Sequence, residues 1–259
     1  MWTDIVDIRD FYASPLGKVA RRMIRRRVRE FWPDVTGMRV LGLGFPTPFL
    51  RPFTDEAERV IAAMPAGQGV LHWPEESLGL SVLTDEMELP FDDLSMDRVL
   101  LVHALESAEP ARPLLREIWR ILSGSGKLLI ITPNRRGLWA RFERTPFGNG
   151  RPYSRKQLSA VLRDAMFTPL ETQSALFVPP FDSRMLLSSC AAWEKIGNAA
   201  FSRFGGVIMI EAEKQIYAGQ TEAKSLRRRY AIATQGTPWN SSRTGPRSVA
   251  RTKAPNMKK

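Results

Sequence analysis

This sequence predicts an α/β fold built on a doubly wound, mostly parallel sheet. Three observations carry that prediction. Short apolar runs bounded by Gly and Pro alternate with apolar stripes at helical spacing. The most apolar run, 127–132, has the unbroken hydrophobicity of a strand covered on both faces. A chain of 259 residues, 43% hydrophobic, suffices for one domain with a large core.

The first predicted element is a helix over 14–31. Ser14 can cap it, and Pro15 suits its first turn. Leu16, Ala20, Met23, Ile24, Val28 and Phe31 recur on one face. Lys18, Arg21, Arg22, Arg25, Arg26, Arg27 and Arg29 fill the rest. Such a cluster reads as a solvated face, with a phosphate or acidic membrane surface as the alternative. Pro33 and Gly37 end the helix. Strands are expected over 39–44, 59–64, 80–84 and 97–103. A helix over 109–122 buries Leu114, Leu115, Ile118, Ile121 and Leu122, and Gly124-Ser125-Gly126 stops it. The strand 127–132 belongs near the sheet centre.

Residues 134–153 then break the alternation. They hold five arginines and the aromatics Trp139, Phe142, Phe147 and Tyr153 without periodicity, the pattern of a functional loop or lid. Ser154 caps a helix running to about 165. Strands over 170–178 and 206–212 flank a helix over 184–202 that carries Leu186, Leu187, Cys190, Trp193, Ile196 and Phe201. Beyond 220, Arg, Ser, Thr and Pro dominate, so a disordered tail is expected. The organisation read from the sequence is an Arg-rich helical segment over 1–36, an α/β domain over 37–219 with a lid at 134–153, and a basic tail over 220–259.

The net charge of +11 resides in that tail. Ten Lys or Arg and no acid lie in 224–259, which leaves +1 for residues 1–223. The tail alone therefore supports non-specific contact with nucleic acid or an anionic surface. The one cysteine, Cys190, allows no internal disulfide, fits a cytoplasmic setting, and reads as a small core residue. No apolar run is long enough to span a bilayer. One Cys and two distant His provide no usual metal-ligand set, so no metal site is expected.

A family resemblance enters between 84 and 134. Asp85-Glu86-Met87-Glu88-Leu89-Pro90-Phe91 resembles the acid-x-x-x-Leu-Pro-Phe turn after the third strand of class I S-adenosylmethionine-dependent methyltransferases. Ser95-Met96-Asp97-Arg98-Val99 resembles the start of their fourth strand, and Leu105-Glu106 follows at the usual place. The run from Arg116-Glu117-Ile118-Trp119-Arg120 to Gly124-Ser125-Gly126-Lys127-Leu128 is similar to their Arg-Val-Leu-x-Pro-Gly-Gly-x-Leu element. Thr132-Pro133-Asn134 closes the series. The four pieces stand in the family's order, and Gly205–Glu213 fits its last strand.

The resemblance implies a Rossmann-like, seven-stranded methyltransferase fold that binds S-adenosylmethionine and transfers its methyl group to a small-molecule or lipid-like acceptor. The residues that would hold the cofactor are Gly42 and Gly44 after the first strand, and Asp85 with Glu86 after the third. Two departures weaken that site. Pro46 and Pro48 stand where the family has glycines, removing amide donors. The acid that would grip the ribose falls on Met64. Binding is therefore expected to be weak or lost, and the alternative function is an inactive methyltransferase-like binding or regulatory protein. His103, ending the fourth strand, is the candidate catalytic residue, with a half-buried structural histidine as its alternative. Arg135, Arg136, Trp139, Arg141 and Arg144 of the lid suit an anionic substrate.

Overall fold

A computed structural model describes residues 4–183 and 188–216. Seven strands form one sheet: β1 (Arg39–Gly44), β2 (Arg59–Pro65), β3 (Ser81–Thr84), β4 (Met96–Val102), β5 (Leu122–Pro133), β6 (Phe167–Ala175) and β7 (Val207–Lys214). Their order is β3-β2-β1-β4-β5-β7-β6. The first five strands run parallel, and β7 is antiparallel to both β5 and β6. This is the Rossmann-like methyltransferase fold that the sequence predicts.

Alternation along each central strand splits the core in two, because successive side chains leave a strand on opposite faces. Val40, Leu100 and Leu129 face the helices α1 (Ile5–Ala13) and α2 (Pro15–Phe31). Leu41, Val99 and Leu128 face α4 (Ala111–Ile121) and α5 (Arg155–Asp164). A single-turn helix, α3 (Thr47–Leu50), follows β1, and α6 (Cys190–Ala200) precedes β7.

The caps follow the sequence closely. Ser14 accepts the Gly17 N–H at the start of α2. Ser154 and Gln157 form a reciprocal capping box on α5. One expectation needs correction, one element was not anticipated, and two expectations reach beyond the described residues. The glycines at 124 and 126 do not stop α4; they lie inside β5, because Leu122 already pairs with Met96. Helix α1 has no counterpart in the sequence reading. The predicted helix over 184–202 is described from 190 to 200, and Leu186 and Leu187 lie outside the described residues, as does the predicted tail. Cys190 is buried, and its sulfur accepts from Arg22 Nη2 at 2.7 Å.

Candidate functional site

The crevice that an α/β sheet offers to ligands lies beyond the carboxyl ends of its strands. Here the loop leaving β1 enters that crevice and is wholly buried: every residue from 41 to 47 is covered. Both of its glycines answer to the chain's own packing. A Cβ on Gly42 would sit 2.3 Å from Pro46 Cβ and 2.7 Å from Leu50 Cδ1. Gly44 has φ +95°, and a Cβ there would lie 2.1 Å from the Val102 carbonyl oxygen. Glycine at 42 and 44 thus lets the loop fold back on itself and on β4.

Helix α1 covers the same edge. The Ile5 N–H donates to the Gln68 carbonyl just past β2. Tyr12 stacks on Phe45 just past β1, at 5.7 Å between centroids. Its hydroxyl lies 2.8 Å from His103 Nε2 just past β4. Phe11 packs edge-on against Trp139 and Phe147, which follow β5. One helix of nine residues therefore crosses the ends of β2, β1, β4 and β5.

Beneath α1 lies a polar cluster. His103 is 3% exposed and has φ +55°, a backbone state that non-glycine residues rarely hold. Its Nδ1 lies 3.2 Å from Glu106 Oε1, and its carbonyl accepts from Gln68 Nε2 at 2.6 Å. Burial first, and the Glu106 charge second, push the Tyr12 hydroxyl well above its ordinary value. The protonated Tyr12 hydroxyl and His103 Nε2 share one hydrogen bond, and Nδ1 faces Glu106. Two acceptors in this cluster, Gln68 Oε1 and Glu106 Oε2, are buried without a protein partner. Gln68 and Glu106 are each 4% exposed.

Three further positions belong to the expected cofactor site: Met64, where the ribose acid is missing, and Asp85 and Glu86, expected to hold the cofactor. Met64, in the ribose-binding position, is fully buried, and its sulfur accepts the Leu71 N–H at 3.3 Å. Asp85 is exposed and closes its own turn by accepting the Met87 N–H at 2.8 Å. Glu86 is 8% exposed, and burial, followed by the neighbouring Asp85 charge, raises its carboxyl to about 7. In this arrangement the residues do not fit S-adenosylmethionine. The loop presents no open surface, and an apolar sulfur stands where hydroxyls need an acceptor.

The segment 134–153 is packed rather than open. Trp139 is 1% exposed, and its indole N–H donates to the Val178 carbonyl at 2.8 Å. This corrects its expected substrate-facing role: its ring seals the core beside Phe147, 5.4 Å away. Arg135, Arg136, Arg141 and Arg144 are exposed, as expected. Of these, Arg136 lines a cavity of about 390 Å³ together with Asn134, Ser154, Arg155, Lys156 and Arg203. Among the described residues, no group of three or more His, Cys, Asp or Glu could hold a metal ion. No described helix is long and apolar enough to cross a membrane.

The sequence reading missed Tyr12 and Gln68. The spacing Ile5, Ile8, Tyr12 behind a possible cap at Asp4 was the available signal for α1. Nothing local marked Gln68, whose role depends on the β2–β4 pairing through β1.

Comparison with known proteins follows this geometry. Residues 49–130 match the family described as "Methyltransferase domain". The match begins past the loop after β1 and ends within β5. The fold is similar to that of an S-adenosylmethionine-dependent methyltransferase from Thermotoga maritima, at 18% identity and TM-score 0.57, over 80% of this chain and 93% of that one. A second, from Archaeoglobus fulgidus, gives 21% identity and TM-score 0.55 over 75% and 94%. The geranyl diphosphate C-methyltransferase of Streptomyces coelicolor gives 15% and 0.52 over 73% and 76%. No curated protein matches the chain.

Proposed function

We propose that this chain, whose fold is similar to that of S-adenosylmethionine-dependent methyltransferases and whose residues 49–130 match a methyltransferase-domain family, is an S-adenosylmethionine-dependent methyltransferase whose resting state is closed by helix α1. The observation that carries this reading is the polar cluster under Tyr12. A helix docked purely for stability would rest on apolar groups alone, and α1 rests on Phe45, Trp139 and Phe147. It also covers His103, Glu106 and Gln68, and two buried acceptors lack protein partners, each at a cost of roughly 1–3 kcal/mol. A ligand rich in N–H and O–H donors would satisfy them once α1 withdrew.

The acceptor of the methyl group is a small-molecule or lipid-like acid in this proposal, as the exposed Arg135, Arg136, Arg141 and Arg144 favour anions. His103 remains the candidate for contact with it. The setting is proposed to be cytoplasmic.

A second reading has its own support. Pro46 and Leu50 fill the space over Gly42, and Met64 is apolar, so the crevice is suited to being occupied by the chain itself. The protein would then be a non-catalytic member of the fold that binds a partner. Calorimetry with S-adenosylmethionine separates the two. The closed-enzyme reading expects weak binding to the unmodified chain, tightened at least about tenfold (~1.4 kcal/mol) by Tyr12→Ala, which loosens α1. Absence of binding in a folded Tyr12→Ala protein would leave the non-catalytic reading.

A further inference from the structure

We infer that the cavity lined by Arg136, Arg155, Lys156 and Arg203 is a binding site for a phosphate group. It lies past the end of β5, between the start of α5 and the turn before β7. It stands whether or not the cofactor crevice opens, because none of its lining residues belongs to α1 or to the loop after β1.

Three guanidinium groups and one ammonium line this cavity, and no carboxylate does. None of the four makes a salt bridge among the described residues. Arg29, Arg39 and Arg120, by contrast, pair with Glu56, Asp97 and Glu117. Four uncompensated cations around one space of about 390 Å³ repel one another. Arg155 records that cost: burial first, and the Arg203 charge second, lower its pKa.

One of the four cations, Arg155, is held by its own side chain, and the backbones of Arg136 and Arg203 are anchored. Arg155 Nη2 donates to Ser174 Oγ at 2.8 Å and to the Ser202 carbonyl at 2.5 Å. Its Nε is buried and has no partner. Asn134 ties the other two arginine-bearing loops together. Its side-chain nitrogen donates to the carbonyls of Arg203 and Gly205, at 3.0 and 2.7 Å. Its side-chain oxygen accepts the Arg136 N–H at 3.1 Å. The amino end of the ten-residue helix α5 adds its dipole to the same space.

A phosphate matches this set better than a carboxylate. It carries close to two negative charges and three acceptor oxygens, enough to engage several forks together. A carboxylate offers two oxygens and one charge, leaving most of the repulsion in place.

Calorimetric titration of the full chain at low salt tests this, with inorganic phosphate, phenyl phosphate and benzoate as probes. Phosphate should bind, and added salt should weaken it. Arg136→Ala and Arg203→Ala, both at exposed positions, should each weaken it at least about tenfold. Arg155→Lys, which keeps the charge and loses the fork, should also weaken it, and a cooperative thermal melt checks that the variant is folded. Arg59→Ala, exposed on β2, should leave it unchanged. Tighter binding of phenyl phosphate than of inorganic phosphate would assign the site to a phosphorylated organic molecule; equal binding would assign it to free phosphate. The proposal is overturned if no phosphate binds, if benzoate binds as tightly, or if Arg59→Ala weakens binding as much as Arg203→Ala.

Discussion

The Tyr12 hydroxyl lies 2.8 Å from His103 Nε2, so a residue of the first helix is fastened to the residue that ends β4. Both side chains are buried, which makes the bond costly to lose. Tyr12→Phe keeps the ring packing on Phe45 and leaves Nε2 without its hydrogen-bond partner. The expected loss of stability is about 1–3 kcal/mol. Tyr12→Ala also removes the ring, and about 3–5 kcal/mol is expected. Urea unfolding of the three proteins checks the order. Equal stability of the Phe variant and the parent would mean that the bond is not formed.

The glycines after β1 should behave as packing residues. Gly42→Ala pushes a methyl into Pro46 and Leu50, and about 1–3 kcal/mol of destabilisation is expected. Gly44→Ala adds an unfavourable backbone state to a clash with the Val102 carbonyl and should cost more. The losses should appear in thermal melts without any ligand. Variants as stable as the parent would show that the loop has room for a Cβ and is not closed on itself.

Glu86 predicts a pH dependence. Its folded carboxyl is raised to about 7, above its unfolded value, so the folded state holds a proton that the unfolded state has released. The contribution to stability is full below the unfolded pKa and is lost as pH rises through about 7. Glu86→Gln, which cannot ionise, should therefore gain stability over the parent at pH 8 but not at pH 4. The gain is at most on the order of 2–3 kcal/mol. A pH-independent difference between the two proteins would contradict the burial assigned to Glu86.

Arg120 links two of the segments that carry the family resemblance. Its guanidinium donates to the carbonyls of Leu89 and Phe91, at 2.9 and 2.8 Å, and pairs with Glu117 and Asp93. Glu117 in turn accepts the Leu89 N–H. Arg120→Ala should cost about 2–4 kcal/mol, since it strands two carbonyls and a carboxylate. Exposed Arg116→Ala should stay within about 0.5 kcal/mol. Comparable losses in the two variants would remove the clamp.

That clamp explains what could be read from the chain. The Leu89-Pro90-Phe91 turn and the Arg116–Leu122 run are recognisable together because they bond to each other, and they report the fold rather than the chemistry. The central strands β1, β4 and β5 were legible because each carries a nearly unbroken apolar run buried on two faces. The site was less so. Trp139 looked like a substrate contact because its neighbours are arginines, but its burial involves α1, whose Phe11 lies 128 residues away in the chain. Arg155 and Arg203 meet only because β6 and β7 run antiparallel, so no local spacing announced their cavity. The loss of amide donors at Pro46 and of an acceptor at Met64 was visible in the sequence. That the space itself is filled was not, because the filling comes from Tyr12, Phe45 and Leu50 together.

Closure of the crevice by α1 is the central claim, and hydrogen–deuterium exchange across residues 5–13 tests it most directly. In the free protein the α1 amides should be protected. Saturating S-adenosylhomocysteine should strip that protection, because the helix and the ligand compete for one place. Ligand binding with α1 protection unchanged or increased would contradict the account.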